Sequence, residues 1–273
     1  MKKINLYIIG TLFLTLLSCS KEDTTVDREL VNAYAEIDFS SEVDFNSGIE
    51  AASDNSSFAS RSEINSNTSL ASCATVTVDN VTPGVFPKTF TIDFGSGCVS
   101  NGILRSGSIT VTITNYIMTT GSVTTIVRGN NYYINGRKVE GTIVYENTTT
   151  DVNNPQWNRT ITNGKTTTTS GDIYTHFGTR TVKQIAGVST LTLVDNIYEI
   201  TTGNHTITKN NNATLTATVV TPLIKKYACP HVSQGQLDLQ GSILDGILDY
   251  GDNTCDNIAT YTHSNGQVYN ISL

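Results

Sequence analysis

The sequence predicts an all-β fold, an antiparallel β-meander that forms either a sandwich or one strongly curved sheet. Three observations carry that expectation. The first is a side-chain period of two: Ile109, Val111 and Ile113 alternate with Thr110, Thr112 and Thr114, and Leu215, Ala217 and Val219 alternate with Thr214, Thr216 and Thr218, so one face is aliphatic and the other hydroxylated. The second is the density of turn signals between such runs: Thr120-Gly121, Asn135-Gly136, Asn153-Asn154-Pro155, Asn163-Gly164, Ser170-Gly171, Asn210 to Asn212 and Asn265-Gly266. Asn-Gly pairs suit type I′ hairpins, where both central residues take positive φ. The third is that no amphipathic helix of ordinary length is legible after Ser72.

The chain opens on Lys2 and Lys3, an apolar run from Ile4 to Leu17, and Leu16-Leu17-Ser18-Cys19. The run is short for a bilayer span and ends in small residues, as a secretory signal does. It resembles a bacterial lipobox, which implies acylation of the Cys19 thiol and cleavage before it. Several acyl chains on one residue, at roughly 0.8 kcal/mol per buried methylene, make a lasting membrane anchor. Ser20-Lys21-Glu22-Asp23 is similar to the short signal that sends Bacteroidota lipoproteins to the outer face of the outer membrane, and Asp23-Thr24-Thr25 resembles an O-glycosylation acceptor of that phylum.

Charge is sorted along the chain. Ser20 to Glu63 carries 11 acidic and 3 basic residues, whereas Cys73 onward carries 13 and 12, so most of the net charge of -7 sits near the amino terminus. A nearly neutral body lacks the basic field that nucleic acid requires, which excludes that partner class. Three parts are expected: a signal peptide at 1–18, a lipidated acidic stalk at 19–72 with weakly helical patches at Arg28 to Ile37 and Val43 to Ala52, and one all-β domain at 73–273.

Setting Cys19 aside leaves four cysteines, an even number suited to an oxidising compartment. Cys73 opens Ala74 to Asp79 and Cys98 closes Thr89 to Gly95, with Pro83-Gly84 between; antiparallel pairing brings the two sulfurs together. Cys229 precedes Gln236 to Leu239, and Cys255 follows Ile247 to Gly251. The expected disulfides are therefore Cys73–Cys98 and Cys229–Cys255, each adding roughly 3 kcal/mol in the chain-entropy model.

Chemistry-bearing motifs are sparse. The sequence holds no Gly-x-Ser-x-Gly, His-Glu-x-x-His, Cys-x-x-Cys, P-loop or Gly-x-Gly-x-x-Gly, and no catalytic residue, cofactor or metal site is assigned. Asp249, Asp252, Asn253, Asp256 and Asn257 offer oxygen ligands in one loop, but Gly251 falls where an EF-hand ligand belongs, and a structural turn is the expected reading. His176, His205, His231 and His263 lack ligand spacing, and Asp172 and His176 are placed on a wet strand face. Asp93, Glu140, Glu146, Asp195, Glu199 and Asp249 are the carboxylates open to a glycosidase mechanism, none favoured by its context. Tyr133, Trp157, Tyr174 and Tyr198 are the candidate ligand-binding aromatics, since exposed rings stack on sugars and dominate interfaces. The dense Thr faces follow from the ease with which Thr sits exposed in a strand.

The lipobox, the acidic stalk, the Phe94-Gly95-x-Gly97-Cys98 hairpin, Asn135-Gly136-Arg137-Lys138-Val139-Glu140-Gly141-Thr142, and Asp249-Tyr250-Gly251-Asp252 with Cys255-Asp256-Asn257 together resemble a group of Bacteroidota surface lipoproteins with no assigned activity. The resemblance implies an address and an architecture, and no catalytic residues. Gly141 is expected where another backbone or a large side chain comes close. The functional expectation is an outer-membrane, surface-facing lipoprotein with a non-enzymatic binding or structural role. Its partners are the membrane, through the lipid, and a glycan or envelope protein. A carrier of lipid or another apolar ligand and a polysaccharide hydrolase are the alternatives.

Overall fold

The computed structural model describes residues 28–54 and 73–273, apart from 101, 191–192, 211 and 243. Cys19, the rest of the lipobox and the Asp23-Thr24-Thr25 motif lie outside the described residues. Sixteen strands form one antiparallel sheet: β1 (Thr75–Val78), β2 (Lys88–Asp93), β3 (Cys98–Ser100), β4 (Ile103–Ser106), β5 (Ser108–Ile113), β6 (Val123–Arg128), β7 (Tyr133–Ile134), β8 (Arg137–Asn147), β9 (Gln156–Thr167), β10 (Ile173–Ala186), β11 (Ile197–Lys209), β12 (Ala213–Lys226), β13 (Gln234–Gly241), β14 (Asp245–Asp252), β15 (Ile258–His263) and β16 (Val268–Ser272). The path runs β1-β2-β5-β6 and then β8 through β16 in sequence order, with β3, β4 and β7 attached beside it. This is the meander the period predicts, built as one sheet and not as two packed layers.

One face of that sheet is the core. Phe90, Ile92, Ile109, Val111, Ile143, Ile161, Ile207, Leu215, Leu237 and Leu248 are buried at alternate strand positions, while the intervening threonines look outward. Cross-strand hydroxyl pairs decorate the outer side: Thr89 with Thr112 at 3.2 Å, Thr206 with Thr216 at 2.9 Å and Thr208 with Thr214 at 3.1 Å. Both expected disulfides are present, each with a Cα–Cα separation of 5.5 Å.

Of the stretch expected as a partly helical stalk, the described residues 28–54 are helical as expected, but they belong to the body. Residues Arg28–Asp54 form one continuous helix, α1, about 40 Å long at 1.5 Å per residue. It lies inside the fold. Leu30, Val31, Tyr34, Ile37, Val43, Phe45 and Ala51 are buried, and so are Asp38, Ser40, Ser41, Asp44 and Ser47. Burial on every side of a helix means that the sheet curls around it: α1 approaches β2, β6 and β16, and Phe45 stacks on Tyr145 of β8 at 4.2 Å and meets Tyr198 of β11 at 6.2 Å. The serines tolerate burial because their hydroxyls donate to carbonyls one turn back, Ser41 to Ile37 and Ser47 to Val43, a bond that needs no partner from the sheet.

A correction concerns Asn163-Gly164. This pair is no hairpin; it sits inside β9 as an irregularity, with Asn163 at φ 52°. Glycine is required on both sides of it. A Cβ on Gly141 (φ 112°) would stand 2.7 Å from the Gly164 Cα, which realises the close approach expected from the sequence, and a Cβ on Gly164 would overlap the His176 ring. Gly164→Ala should therefore lower stability by about 1–3 kcal/mol, the usual cost of overpacking. Urea unfolding checks it: the midpoint should drop, and His176→Ala in the same chain should recover part of the loss.

Candidate functional site

The concentrated chemistry of the molecule is a seam of buried charge between α1 and the concave face. From Glu29 to Asp54 the helix carries seven acidic residues and no basic one. The concave face answers with Arg105 on β4, Arg128 on β6, Arg159 on β9 and Arg180 on β10, each at most 5% exposed. The Arg128 Nε donates to the Asp44 carboxylate at 2.7 Å, and the Tyr132 hydroxyl donates to its other oxygen at 2.5 Å. Arg159 bridges Asp38 at 3.1 Å and Glu42 at 2.7 Å. Arg180 donates to both Asp38 oxygens at 2.8 Å and also to the Tyr34 hydroxyl. Arg105 bonds Ser47 and lies 4.1 Å over the Phe94 ring. Toward the ends of the helix, Glu36 meets Arg137 at 2.5 Å, Glu29 meets Lys209 at 2.7 Å, and Glu50 accepts from Tyr227. Among the described residues, the carboxylates paired with Arg128, Arg159 and Arg180 all lie on α1.

The electrostatics follow from this crowding. Burial by itself would raise the Asp38 carboxyl, but the flanking Arg180 and Arg159 outweigh it and hold the group far below the usual carboxylate range. Burial and the same cations keep the neighbouring imidazoles neutral. His176 is pulled down to about 3 by burial and then by Arg128 and Arg159. His205 is driven well below its ordinary value by burial, His176 and Arg180. The two rings share one contact, His176 Nδ1 to His205 Nε2 at 3.1 Å, and Tyr34 of α1 lies 5.7 Å from the His205 ring. Their remaining nitrogens have no partner among the described residues.

Beside this seam a small pocket of about 20 Å³ opens between α1 and the end of β12, lined by Asp38, Phe39, Glu42, Lys225, His231 and Tyr250 among others. Lys225 donates to the carbonyls of Lys226, at 2.9 Å, and Cys229, and burial depresses its ammonium. His231 stacks on Phe39 at 5.4 Å.

The residues singled out from the sequence fall elsewhere. Trp157, Tyr174 and Tyr198 are 4%, 1% and 6% exposed, so they are core and offer no stacking face. Tyr133 is half-buried, and its neighbour Tyr132 turns inward to Asp44. Among the described residues, the exposed aromatic is Phe177, 60% exposed on the outer side of β10. His176 is buried and does not share a wet face with Asp172; the latter accepts from Ser170 at 2.9 Å and Asn210 at 3.1 Å in a surface turn. Asp249 accepts from Gly251 N and Gln236, Asp252 from Thr254, and Asp256 from Ile258 N, the self-capping of an ordinary turn. Asp93 caps Gly95 N in the same way, and Glu140 pairs with Lys138 and Lys165.

What the fold and the seam define is an all-β protein whose single curved sheet encloses an acidic helix. Comparison with family models, curated proteins and solved structures returns no match.

Proposed function

We propose that this is a lipid-anchored outer-membrane lipoprotein, facing the cell exterior, whose β-body has a non-enzymatic binding or structural role toward a glycan or envelope protein. The observation that carries the reading is the division of labour between the two faces of the sheet. The arginines of the concave side are consumed in holding α1, while the outer side presents threonine rows around exposed Phe177, Val127 and Val220. Such a face offers hydroxyls and apolar surface, which suits a partner held by hydrogen bonds and stacking.

Catalysis is less well supported by the same geometry. Asp38 and Glu42 flank the pocket, but Arg159 grips both, and a glycosidase general acid needs a raised proton affinity, opposite to that of Asp38. The carrier reading meets the difficulty that α1 occupies the concave face, where an apolar ligand would lie.

Eight residues separate Cys19 from Arg28, so the body would ride within about 30 Å of the lipid. Palmitate labelling with fractionation tests the anchor: the full chain should carry label and sediment with the outer membrane, and Cys19→Ser should be unlabelled and soluble. Retention of the Cys19→Ser chain on a panel of polysaccharides and outer-membrane vesicles, weakened by Phe177→Ala, tests the binding surface. An unlabelled native chain, or turnover of the polysaccharides, overturns the reading.

A further inference from the structure

The concave face and α1 form a receptor and its ligand joined in one chain. Three features point that way. The buried Arg128, Arg159 and Arg180 of the sheet find their carboxylates on the helix, and the helix carries no cation between Glu29 and Asp54, so the buried ion pairs run between the two elements. The match has a register: Asp38 against Arg159 and Arg180, Glu42 against Arg159, Asp44 against Arg128 with Tyr132. A helix slid by one turn would bury unpaired guanidinium groups, which is strongly unfavourable. Finally, 20 residues separate Asp54 from Thr75. Fully extended they span up to about 70 Å, more than the roughly 40 Å length of α1, so the connection does not force the helix into its own sheet.

We infer that α1 of a second copy of this chain can occupy the same seat, so that two copies exchange helices and form a dimer in which each sheet encloses its partner's α1. The specificity lies in the register of Asp38, Glu42 and Asp44, which a different acidic helix would not reproduce. A cis helix has the higher effective concentration and dominates in dilute solution; crowding of copies favours exchange. The exchange breaks no covalent bond and leaves both disulfides in place. It requires neither the lipid nor a binding role on the outer face, and it stands if either fails.

The test uses two full-length chains, both carrying Cys19→Ser. One has a charge-reversed helix, Asp38→Lys with Asp44→Lys; the other has a charge-reversed sheet, Arg128→Glu with Arg159→Glu and Arg180→Glu. Neither can seat its own helix, but in a mixed dimer each sheet receives a complementary one. Unfolded together and refolded, they should give a heterodimer of twice the 29.5 kDa chain mass by light scattering, with a cooperative thermal transition that neither shows alone. A second measurement guards against reversals too severe to fold: the Cys19→Ser chain, otherwise native, cycled through partial unfolding with a fluorescent peptide of residues 28–54, should take up the peptide saturably. The same peptide with Asp38→Ala and Asp44→Ala should bind at least tenfold more weakly. Either positive result supports exchange. Absence of both heterodimer and uptake, or uptake indifferent to the two aspartates, overturns it.

Discussion

Replacing Asp38 by alanine is expected to destabilise the protein by about 3–5 kcal/mol, the range for removing one partner of a buried ion pair. The carboxylate is 3% exposed and is shared by Arg159 and Arg180, themselves 2% exposed. Without it, Arg159 keeps Glu42, but Arg180 keeps only the Tyr34 hydroxyl among its described partners. The loss should appear as a drop in melting temperature of roughly 6–20 °C for a domain of this size. Asp38→Asn keeps the volume and an acceptor, and should fall between wild type and alanine. Replacing an exposed acid such as Asp151 should move the transition by less than about 0.5 kcal/mol. A change of under 1 kcal/mol for Asp38→Ala would mean that the seam does not hold the helix.

The second large effect is a loss of stability in acid that begins well above the carboxylate range. His176 and His205 are neutral when folded, and both have their proton affinity lowered relative to the unfolded value near 6.5. A lowered folded value means that the unfolded chain binds more protons, so stability is fully present above about pH 6.5 and declines as the pH falls toward about 3, where His176 protonates in the folded state. At 1.36 kcal/mol per unit, His176 alone accounts for about 2–3 kcal/mol by pH 4.5. Asp38, whose affinity is lowered in the same sense, adds its own loss only below about pH 4. Charge on either ring would also face Arg128, Arg159 and Arg180 directly. Urea midpoints measured from pH 8 to pH 4 should trace the decline, and His176→Leu with His205→Leu should flatten the segment between pH 6.5 and 4.5. An unchanged slope in that double variant would assign the acid sensitivity elsewhere.

The sheet was legible in the sequence because its signals are local. Ile109, Val111 and Ile113 against Thr110 and Thr112 need only a window of five residues to show a buried face, and the paired Cys73 and Cys98 need only the hairpin between them. The seam was hidden because it depends on ion-pair partners 84 to 142 residues apart. Asp38, Glu42 and Asp44 have the composition of a solvated stalk until arginines from β6, β9 and β10 are placed around them. The inverse error affected the strands: His176 and Arg180 look like outward positions by polarity alone. Parity held the missing signal. Arg159 shares its face with Trp157 and Ile161, and His176 and Arg180 share theirs with Tyr174 and Val182. Apolar neighbours at i±2 should have turned those cations inward and raised the question of what neutralises them. The aromatics misled for a related reason, since a ring's type does not reveal its side of the strand, and three of the four candidates point into the core.

The order in which the molecule can assemble follows from where its helix sits. Tyr34 reaches Arg180 across 146 residues and Glu50 reaches Tyr227 across 177, so α1, made before every strand, completes its set of contacts only after β12 has been made. Such long sequence separations slow folding. An isolated α1, with seven negative charges and little propensity of its own to stay helical, has no native shelter in the interval. Nascent chains stalled short of β12 should therefore expose α1 to proteases, and refolding should show a late phase in which helix content rises after the sheet is complete.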